Sequence, residues 1–285
     1  MTARRLKVMA GLTLLVIAAL FVLLPVYWVI VAATKSTSVL FSSNTFVPSG
    51  FASLGRNIAA LFTFQGGLFR YWLVNSVAYS AVTGGLVVYV ASLTGYALAK
   101  FKFVGRGALL ATVIGSLMVP SSVLIIPLFI LERSLRMSNS YEGVILPLIV
   151  SPFVVYFMSF YADGAVPTSL IEAGRVDGAR ELMIFHRIAL PAMAPGVVTM
   201  FLITFIGTWN NYFLPLVLLQ SGDRYPMTVG ISIWFSDIHA AGVAQPLYPE
   251  VILGSLVSVL PMLLMFPFLQ RYLARGLTLG ALAGE

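Results

Sequence analysis

The sequence predicts an all-helical membrane protein with six transmembrane helices. Of the 285 residues, 59% are hydrophobic and only 9% are charged, whereas soluble domains carry far more charge. The apolar stretches are free of charge over about twenty residues, the length a helix needs to cross a bilayer. Barrel strands in a membrane are about ten residues long and alternate polar with apolar side chains, so these stretches favour helices.

Six apolar runs are long enough to cross the membrane. They lie near residues 8–33, 71–99, 107–131, 143–162, 193–220 and 251–270. The first run follows a basic N-terminus, as in a signal peptide, but it continues past Pro25 to Ala33, which favours a first helix that is retained. The third and fourth spans should bend at their prolines, which are Pro120, Pro127, Pro147 and Pro152. A single membrane domain, residues 1–285, accounts for the whole chain.

The distribution of Lys and Arg predicts the orientation of the chain. Loops on one side hold eleven of these residues and loops on the other side hold six. By the positive-inside rule, both termini and the loop at residues 165–192 are cytoplasmic, and residues 34–70 and 221–250 face outward. Because the net charge of +7 is spread over short loops, it does not indicate a nucleic-acid surface.

Several function classes lack their usual residues. The interiors of the six predicted spans contain no ionisable side chain, whereas ion-coupled carriers bury such groups. No phosphate-binding GxxxxGK[ST] motif is present, so any ATP site would belong to another subunit. The chain has no Cys and two His, at His186 and His239 in loops on opposite sides, which predicts no metal site. With no catalytic motif either, the sequence predicts a protein that is not an enzyme.

The charged loop, residues 165–192, is the most distinctive segment. Six of the 27 charged residues (17 Lys and Arg plus 10 Asp and Glu) lie between Glu172 and Pro191. Ser169 and Glu172 fit a capping box that would begin a short helix, and Gly178 would end it. A second helix should follow from Ala179 to about Ile188. The loop is therefore a helix-turn-helix, which is either a solvated connection or a docking surface.

The order of residues in the charged loop resembles the EAA motif of binding-protein-dependent ABC importer permeases. The motif runs E-A-A-x-x-D-G-A, a spacer, then F-x-x-I-x-L-P-x-x-x-P. The matching residues are Glu172, Ala173, Asp177, Gly178, Ala179, Phe185, Ile188, Leu190, Pro191 and Pro195. Gly174 replaces the second alanine, and its low helix propensity predicts a slightly looser helix.

This resemblance implies that the loop couples the chain to an ATPase. The coupling residues would be Glu172, Ala173, Gly174, Asp177, Gly178, Ala179, Leu190 and Pro191. Glu172 would pair with a basic residue of a cytoplasmic ATPase subunit. ATP and Mg would be bound by that subunit, and this chain would bind no cofactor.

Three further stretches resemble carbohydrate-uptake permeases of the maltose-transporter type, specifically their MalG-like inner-membrane subunit. They are GTWNNYFLPLVLL (residues 207–219), RYPMTVGIS (residues 224–232) and QRYLARGLTLGAL (residues 270–282). The resemblance implies half of a translocation pore for a di- or oligosaccharide, working by alternating access. Its partners would be a second permease, two ATPase subunits and an extracytoplasmic sugar-binding protein. Alternatives are a permease for glycerol phosphate or a polyol, an ion-coupled carrier, or a membrane scaffold.

Two groups of residues are candidates for contact with the solute and with the binding protein. Trp209, Asn210, Asn211 and Tyr212 fall in the fifth predicted span, where amides either line a pathway or bond neighbouring helices. By resemblance, the outward loop that contains Arg224, Tyr225, Pro226, Met227 and Thr228 enters the binding protein. The alternative is that this loop is a hydrophobic cover.

Overall fold

Helices form all of the regular structure in residues 3–238 and 247–282, the part of the chain described by the computed structural model. In chain order they are α1 (Ala3–Ala33), α2 (Thr37–Ser42), α3 (Phe51–Thr63), α4 (Leu68–Lys100), α5 (Arg106–Ser116), α6 (Ile125–Ser134), α7 (Tyr141–Ile145), α8 (Pro152–Ala165), α9 (Thr168–Val176), α10 (Glu181–Ile184), α11 (Leu190–Ala192), α12 (Ala194–Trp209), α13 (Phe213–Leu218), α14 (Met227–Ile238) and α15 (Tyr248–Leu282). The predicted all-helical class is confirmed.

Three candidate spans are single long helical stretches and three are bent pairs. The single stretches are Val8–Ala33, Leu68–Lys100 and Tyr248–Phe268. The pairs are Arg106–Ser116 with Ser121–Ser134, bent by 94°; Tyr141–Leu148 with Pro152–Ala165, bent by 45°; and Glu181–Ala192 with Ala194–Trp209, bent by 79°. Counting each pair as one span gives six, the predicted number. Pro120 and Pro152 lie at breaks, as expected, because a proline cannot supply the helical N–H bond.

The fifth predicted span, residues 193–220, is not one helix, and that boundary is wrong. α12 ends at Trp209 and α13 begins at Phe213. Pro215 supplies the physical reason, since its ring would clash with the Asn211 carbonyl in a continuous helix. Asn211 therefore lies in a break between two helices rather than inside a span.

The chain divides into two compact units. The first contains Met1–Arg70 and Gly230–Leu260, and the second contains Tyr71–Val229 and Pro261–Glu285. In the first unit, the buried Lys35 ammonium donates to the Asn44 carbonyl at 2.6 Å. The Asn57 amide donates to the Ala33 and Lys35 carbonyls at 2.8 and 2.9 Å, which ties α3 to the end of α1.

The core of the second unit joins α4, α8, α12 and the charged loop. Its members include Val87, Ala91, Tyr96, Val155, Met158, Ala162, Ile171, Ile184, Phe185, Ala189 and Met200. Gly95 lets α4 and α8 cross in close contact, because a Cβ there would lie 2.6 Å from the backbone of Met158. The charged loop is thus built into the apolar core on one face.

Candidate functional site

The first helix of the charged loop begins two residues earlier than the sequence predicts, with its N-cap at Pro167 instead of Ser169. Pro167 is the N-cap of α9, in extended conformation, and no side chain caps the helix. The predicted capping box of Ser169 and Glu172 is therefore wrong. Pro167 has no N–H that would need a partner, and its carbonyl accepts the first bond, from the Leu170 N–H at 3.2 Å, so the helix begins without a side-chain cap.

Gly178 ends α9, as the sequence predicts. Its φ of 76° is left-handed, and its N–H donates to the Arg175 carbonyl at 3.0 Å. The Ala179 N–H donates to the Gly174 carbonyl, also at 3.0 Å. This pair of bonds is the Schellman motif, in which a left-handed glycine satisfies the last carbonyls of a helix.

Gly178→Ala is expected to destabilise the second unit by about 1–2 kcal/mol, the cost of a left-handed non-glycine residue. No atom lies within 4 Å of an added Cβ, so backbone strain is the whole effect. Thermal unfolding of the purified protein measures it. Gly164→Ala is the matched control, since Gly164 lies inside α8 with equally open surroundings and a gain in helix propensity. Equal melting of the two variants would contradict the assignment.

The second helix of the charged loop is longer than predicted. It begins at Glu181 instead of Ala179 and runs to Ala192. Its middle, Phe185–Ala189, is π-helical. π-Helical turns are rare and concentrate at functional sites, because they re-aim side chains within a helix.

Gly174 allows the two helices of the charged loop to pack closely. A Cβ at this buried position would lie 3.1 Å from Ile188 and 3.2 Å from Ile184, tighter than ordinary contact. The missing methyl group brings α9 against its neighbour. This packing role of Gly174 is separate from its low helix propensity, from which the sequence predicts a slightly looser helix.

The predicted coupling residues divide into an inner and an outer set. Gly174 is buried, and Ala179 and Leu190 are half-buried. The exposed members are Glu172, Ala173, Asp177, Gly178 and Pro191. On α9, Glu172 and Ala173 lie about opposite the buried Ile171 and Gly174, as helical spacing requires.

Apolar side chains lie on the outside of the charged loop as well. Val176 is 88% exposed, and Leu182, Leu170 and Met183 are 58%, 48% and 43% exposed. Val176 follows Glu172 by four residues, so both lie on the same face of α9. An uncovered apolar face with a carboxylate in it is typical of a protein-docking surface.

Trp209, Asn210, Asn211 and Tyr212 do not share one surface. Trp209 is buried and stacks on Phe205 at 6.0 Å, with 13° between the rings. Asn210 is exposed, and its amide donates to the Ile206 carbonyl at 2.8 Å. Asn211 and Tyr212 are half-buried. Of the four, Asn210 presents the most accessible polar side chain.

The 220–228 segment is held by its backbone against a row of polar side chains on α4. Trp72 donates to the Gly222 carbonyl at 2.7 Å. Asn75 donates to the Asp223 and Tyr225 carbonyls at 2.8 and 3.1 Å. Tyr79 donates to the Arg224 carbonyl at 3.1 Å. Since positions 72, 75 and 79 repeat at helical spacing, one face of α4 fixes four consecutive carbonyls.

Within that segment the predicted contact residues are largely internal. Pro226 and Met227 are buried, and the Met227 N–H donates to Ser76 Oγ at 2.8 Å. Thr228 donates to the Asn211 carbonyl at 2.8 Å, the carbonyl that the helix break leaves open. Arg224 donates to the Asn139 carbonyl. These bonds position the segment, and Pro226 and Met227 have no surface to offer a partner.

Asn139 is a site residue that the sequence analysis missed. It is left-handed, with φ of 56°. Its side-chain oxygen accepts from the N–H groups of Gln220 and Ser221 at 3.0 and 3.1 Å, and its Nδ2 donates to Ser221 Oγ at 2.7 Å. Its own N–H donates to the Leu218 carbonyl at 2.9 Å. The only sequence signal is an Asn between two serines, a pattern typical of turns.

Glu132 also differs from expectation. The predicted third span ends before it, but α6 extends to Ser134 and buries its side chain. Neither carboxylate oxygen has a hydrogen-bond partner among the described residues. An ionisable group therefore lies in the last turn of a candidate span, against Gly143, one residue beyond the end predicted for that span.

His186 makes contacts within its own helix and to α4. His186 donates from Nδ1 to the Leu182 carbonyl at 2.7 Å, and its Nε2 lies 3.1 Å from the Tyr89 hydroxyl. His239 lies outside the described residues. Across the described part of the chain, no group of three or more His, Cys, Asp or Glu side chains is arranged to hold a metal ion.

The chain is similar in sequence to membrane components of transport systems. Residues 91–279 match the family model described as the binding-protein-dependent transport system inner membrane component. The arabinooligosaccharides transport system permease protein of Halalkalibacterium halodurans is 37% identical over 80% of this chain and 79% of its own length. The lactose transport system permease protein of Rhizobium radiobacter is 33% identical over 96% of both chains.

A solved structure shares the fold. It is a crystal structure of a bacterial ABC transporter involved in the import of the acidic polysaccharide alginate. The TM-score is 0.81, over 95% of this chain and 98% of the other, with 22% sequence identity. At that identity, the likeness bears on the arrangement of helices alone.

Proposed function

The chain belongs to the inner-membrane components of binding-protein-dependent transport systems, and from this premise we propose that the solute it carries is a di- or oligosaccharide. The family is the non-catalytic permease component of these ABC importers. The proposal on the solute rests on similarity to permeases for arabinooligosaccharides and lactose, the latter over 96% of both chains.

The charged loop is the proposed docking site for a cytoplasmic ATPase subunit. Glu172, Ala173 and Val176 lie on the face of α9 that points away from the core and presents both a carboxylate and apolar surface. In this arrangement Glu172 pairs with a basic residue of the ATPase. The loop and both termini are cytoplasmic, as the Lys and Arg count favours.

Because this chain forms only half of the proposed translocation pore, it needs further partners. A second permease completes the pore, two ATPase subunits bind ATP and Mg, and an extracytoplasmic sugar-binding protein delivers the solute. ATP binding draws the charged loop of this chain and the corresponding loop of the second permease together, which opens the pore outward. Hydrolysis of ATP returns the pore to its starting state. In the 220–228 segment, the binding protein contacts the exposed Asp223 and Gln220 rather than the buried Pro226 and Met227.

Import by the purified complex in lipid vesicles tests the proposal. Arabinotriose, lactose and glycerol 3-phosphate are offered with the cognate binding protein, with and without internal ATP. ATP-dependent, saturable uptake of a di- or oligosaccharide is the expected result. Uptake of glycerol 3-phosphate alone favours the polyol alternative, and uptake driven by an ion gradient without ATP favours a secondary carrier.

Asn210→Ala is expected to raise the half-saturating sugar concentration by about 2- to 10-fold, the value of one hydrogen bond. Its amide is the exposed one at the helix break, whereas the half-buried Asn211 should contribute less. Concentration-dependent import by each variant measures this effect. Unchanged affinity and specificity in both Asn210→Ala and Asn211→Ala would remove this part of the chain from the solute pathway.

A further inference from the structure

Arg175 joins the two helices of the charged loop. Its Nε lies 2.6 Å from Oε1 of Glu181, the first residue of α10, and this hydrogen bond raises the pKa of the guanidinium. The two side chains are 43% and 47% exposed. Exposed ion pairs of this kind contribute only about 0–1 kcal/mol to stability. The ion pair of Arg175 and Glu181 therefore adds little to the stability of the fold.

The same guanidinium reaches the end of α4. Its Cζ lies 5.8 Å from the ring centre of Phe101, the residue after α4 ends at Lys100. Arginine is suited to this position because its planar cation can stack on a ring while its N–H groups hold a carboxylate. The side chain of Arg175 thus links α9, to which it belongs, with both α10 and the end of α4.

Aromatic rings continue this contact into the core. Phe101 meets Tyr96 edge-on at 5.7 Å, and Tyr96 meets Phe185 at 5.5 Å. Tyr96 and Phe185 are buried, at 2% and 1% exposure, and Phe185 opens the π-helical turn. Close-packed rings of this kind do not compress, so a displacement at one end is passed to the other.

We propose that Arg175 is a positioning residue that transmits movement of α9 to α4, and so links ATPase docking to opening of the pore. The inference rests on the proposed function of the charged loop. Glu172 faces the ATPase, whereas Arg175 faces the chain's own α10 and Phe101. On α9, Glu172 therefore serves docking, and Arg175 serves the transmission of movement.

Arg175→Ala is expected to leave the ATPase bound but to lower solute imported per ATP hydrolysed by about tenfold, within the usual range of coupling energies. The whole complex in lipid vesicles is assayed with the sugar imported fastest by the unmodified complex. Arg187→Ala is the control, because it removes the same charge from an exposed position of the same loop without touching the ion pair. It should keep the ratio of the parent.

Two further variants separate the contacts of Arg175. Glu181→Arg alone should lower the ratio, and combining it with Arg175→Glu should recover much of it by restoring the ion pair. Phe101→Leu keeps the ion pair but removes the ring, and it should lower the ratio severalfold.

The outcomes also distinguish transmission from docking. An unchanged ratio in Arg175→Ala overturns the proposal, as does a charge swap no better than the worse single variant. Loss of the ATPase from Arg175→Ala also overturns it, because Arg175 would then be a docking residue. Failure of the docking proposal itself is seen separately, as full ATPase retention by Glu172→Ala.

Discussion

Replacing Glu172 with alanine is expected to weaken binding of the ATPase subunits by at least about thirtyfold, since removing one member of a desolvated charge pair costs about 2–5 kcal/mol. The carboxylate is exposed, and it makes no ion pair within 4 Å among the described residues, so it is available to a partner. Alanine favours a helix, so α9 should persist. Titration of purified ATPase onto the permease complex in detergent measures the affinity.

Two controls isolate the charge of Glu172. Glu172→Gln keeps the shape and removes the charge, so it should fall close to the alanine variant if the pair is ionic. Asp163→Asn removes a carboxylate that is 75% exposed at the end of α8, 3.7 Å from Lys100, and should bind the ATPase normally. Full ATPase binding together with normal import by Glu172→Ala would refute the docking assignment.

The parts of the charged loop that sequence could predict are those fixed by local chemistry. Gly178 is predictable because a helix end in left-handed conformation selects glycine whatever surrounds it. Ser169 is misleading because a capping pattern identifies a residue able to cap, while the backbone of Pro167 already begins the helix two residues earlier. The packing role of Gly174 could not be predicted, because helix propensity says nothing of Ile184 and Ile188, which contact it from another helix.

The fifth span likewise combines a feature that the local sequence predicts with features that depend on distant contacts. Its apolar composition predicts a crossing, but composition does not report that Pro215 prevents one helix from reaching residue 220. The break frees the Asn211 carbonyl, and Thr228 satisfies it from 17 residues away. Contacts over such separations depend on the folded chain, which is why the polar row of α4 and its carbonyl partners, about 150 residues on, were not anticipated.

Asn139→Ala is expected to destabilise the second unit by about 2–4 kcal/mol and to impair delivery of solute from the binding protein. The substitution leaves the N–H groups of the exposed Gln220 and the half-buried Ser221 without their acceptor, which costs about 1–3 kcal/mol for the two together, since a fully buried group alone costs that much. It also places alanine at a φ of 56°, which adds about 1–2 kcal/mol of backbone strain. Thermal unfolding in detergent and import at limiting binding protein measure the two effects.

Two other substitutions at Asn139 separate its contributions. Asn139→Gly relieves the backbone strain but lacks the side-chain acceptor, so the difference between Gly and Ala reports the strain. Asn139→Asp keeps an acceptor for both N–H groups and tolerates the left-handed conformation, so it should be the most stable of the three. Since Arg224 and Leu218 bond the Asn139 backbone, all three variants retain those contacts. If the alanine and glycine variants melt with the parent, the Asn139 side chain does not hold the 220–228 segment, and the other bonds of the segment, chiefly those from α4, position it.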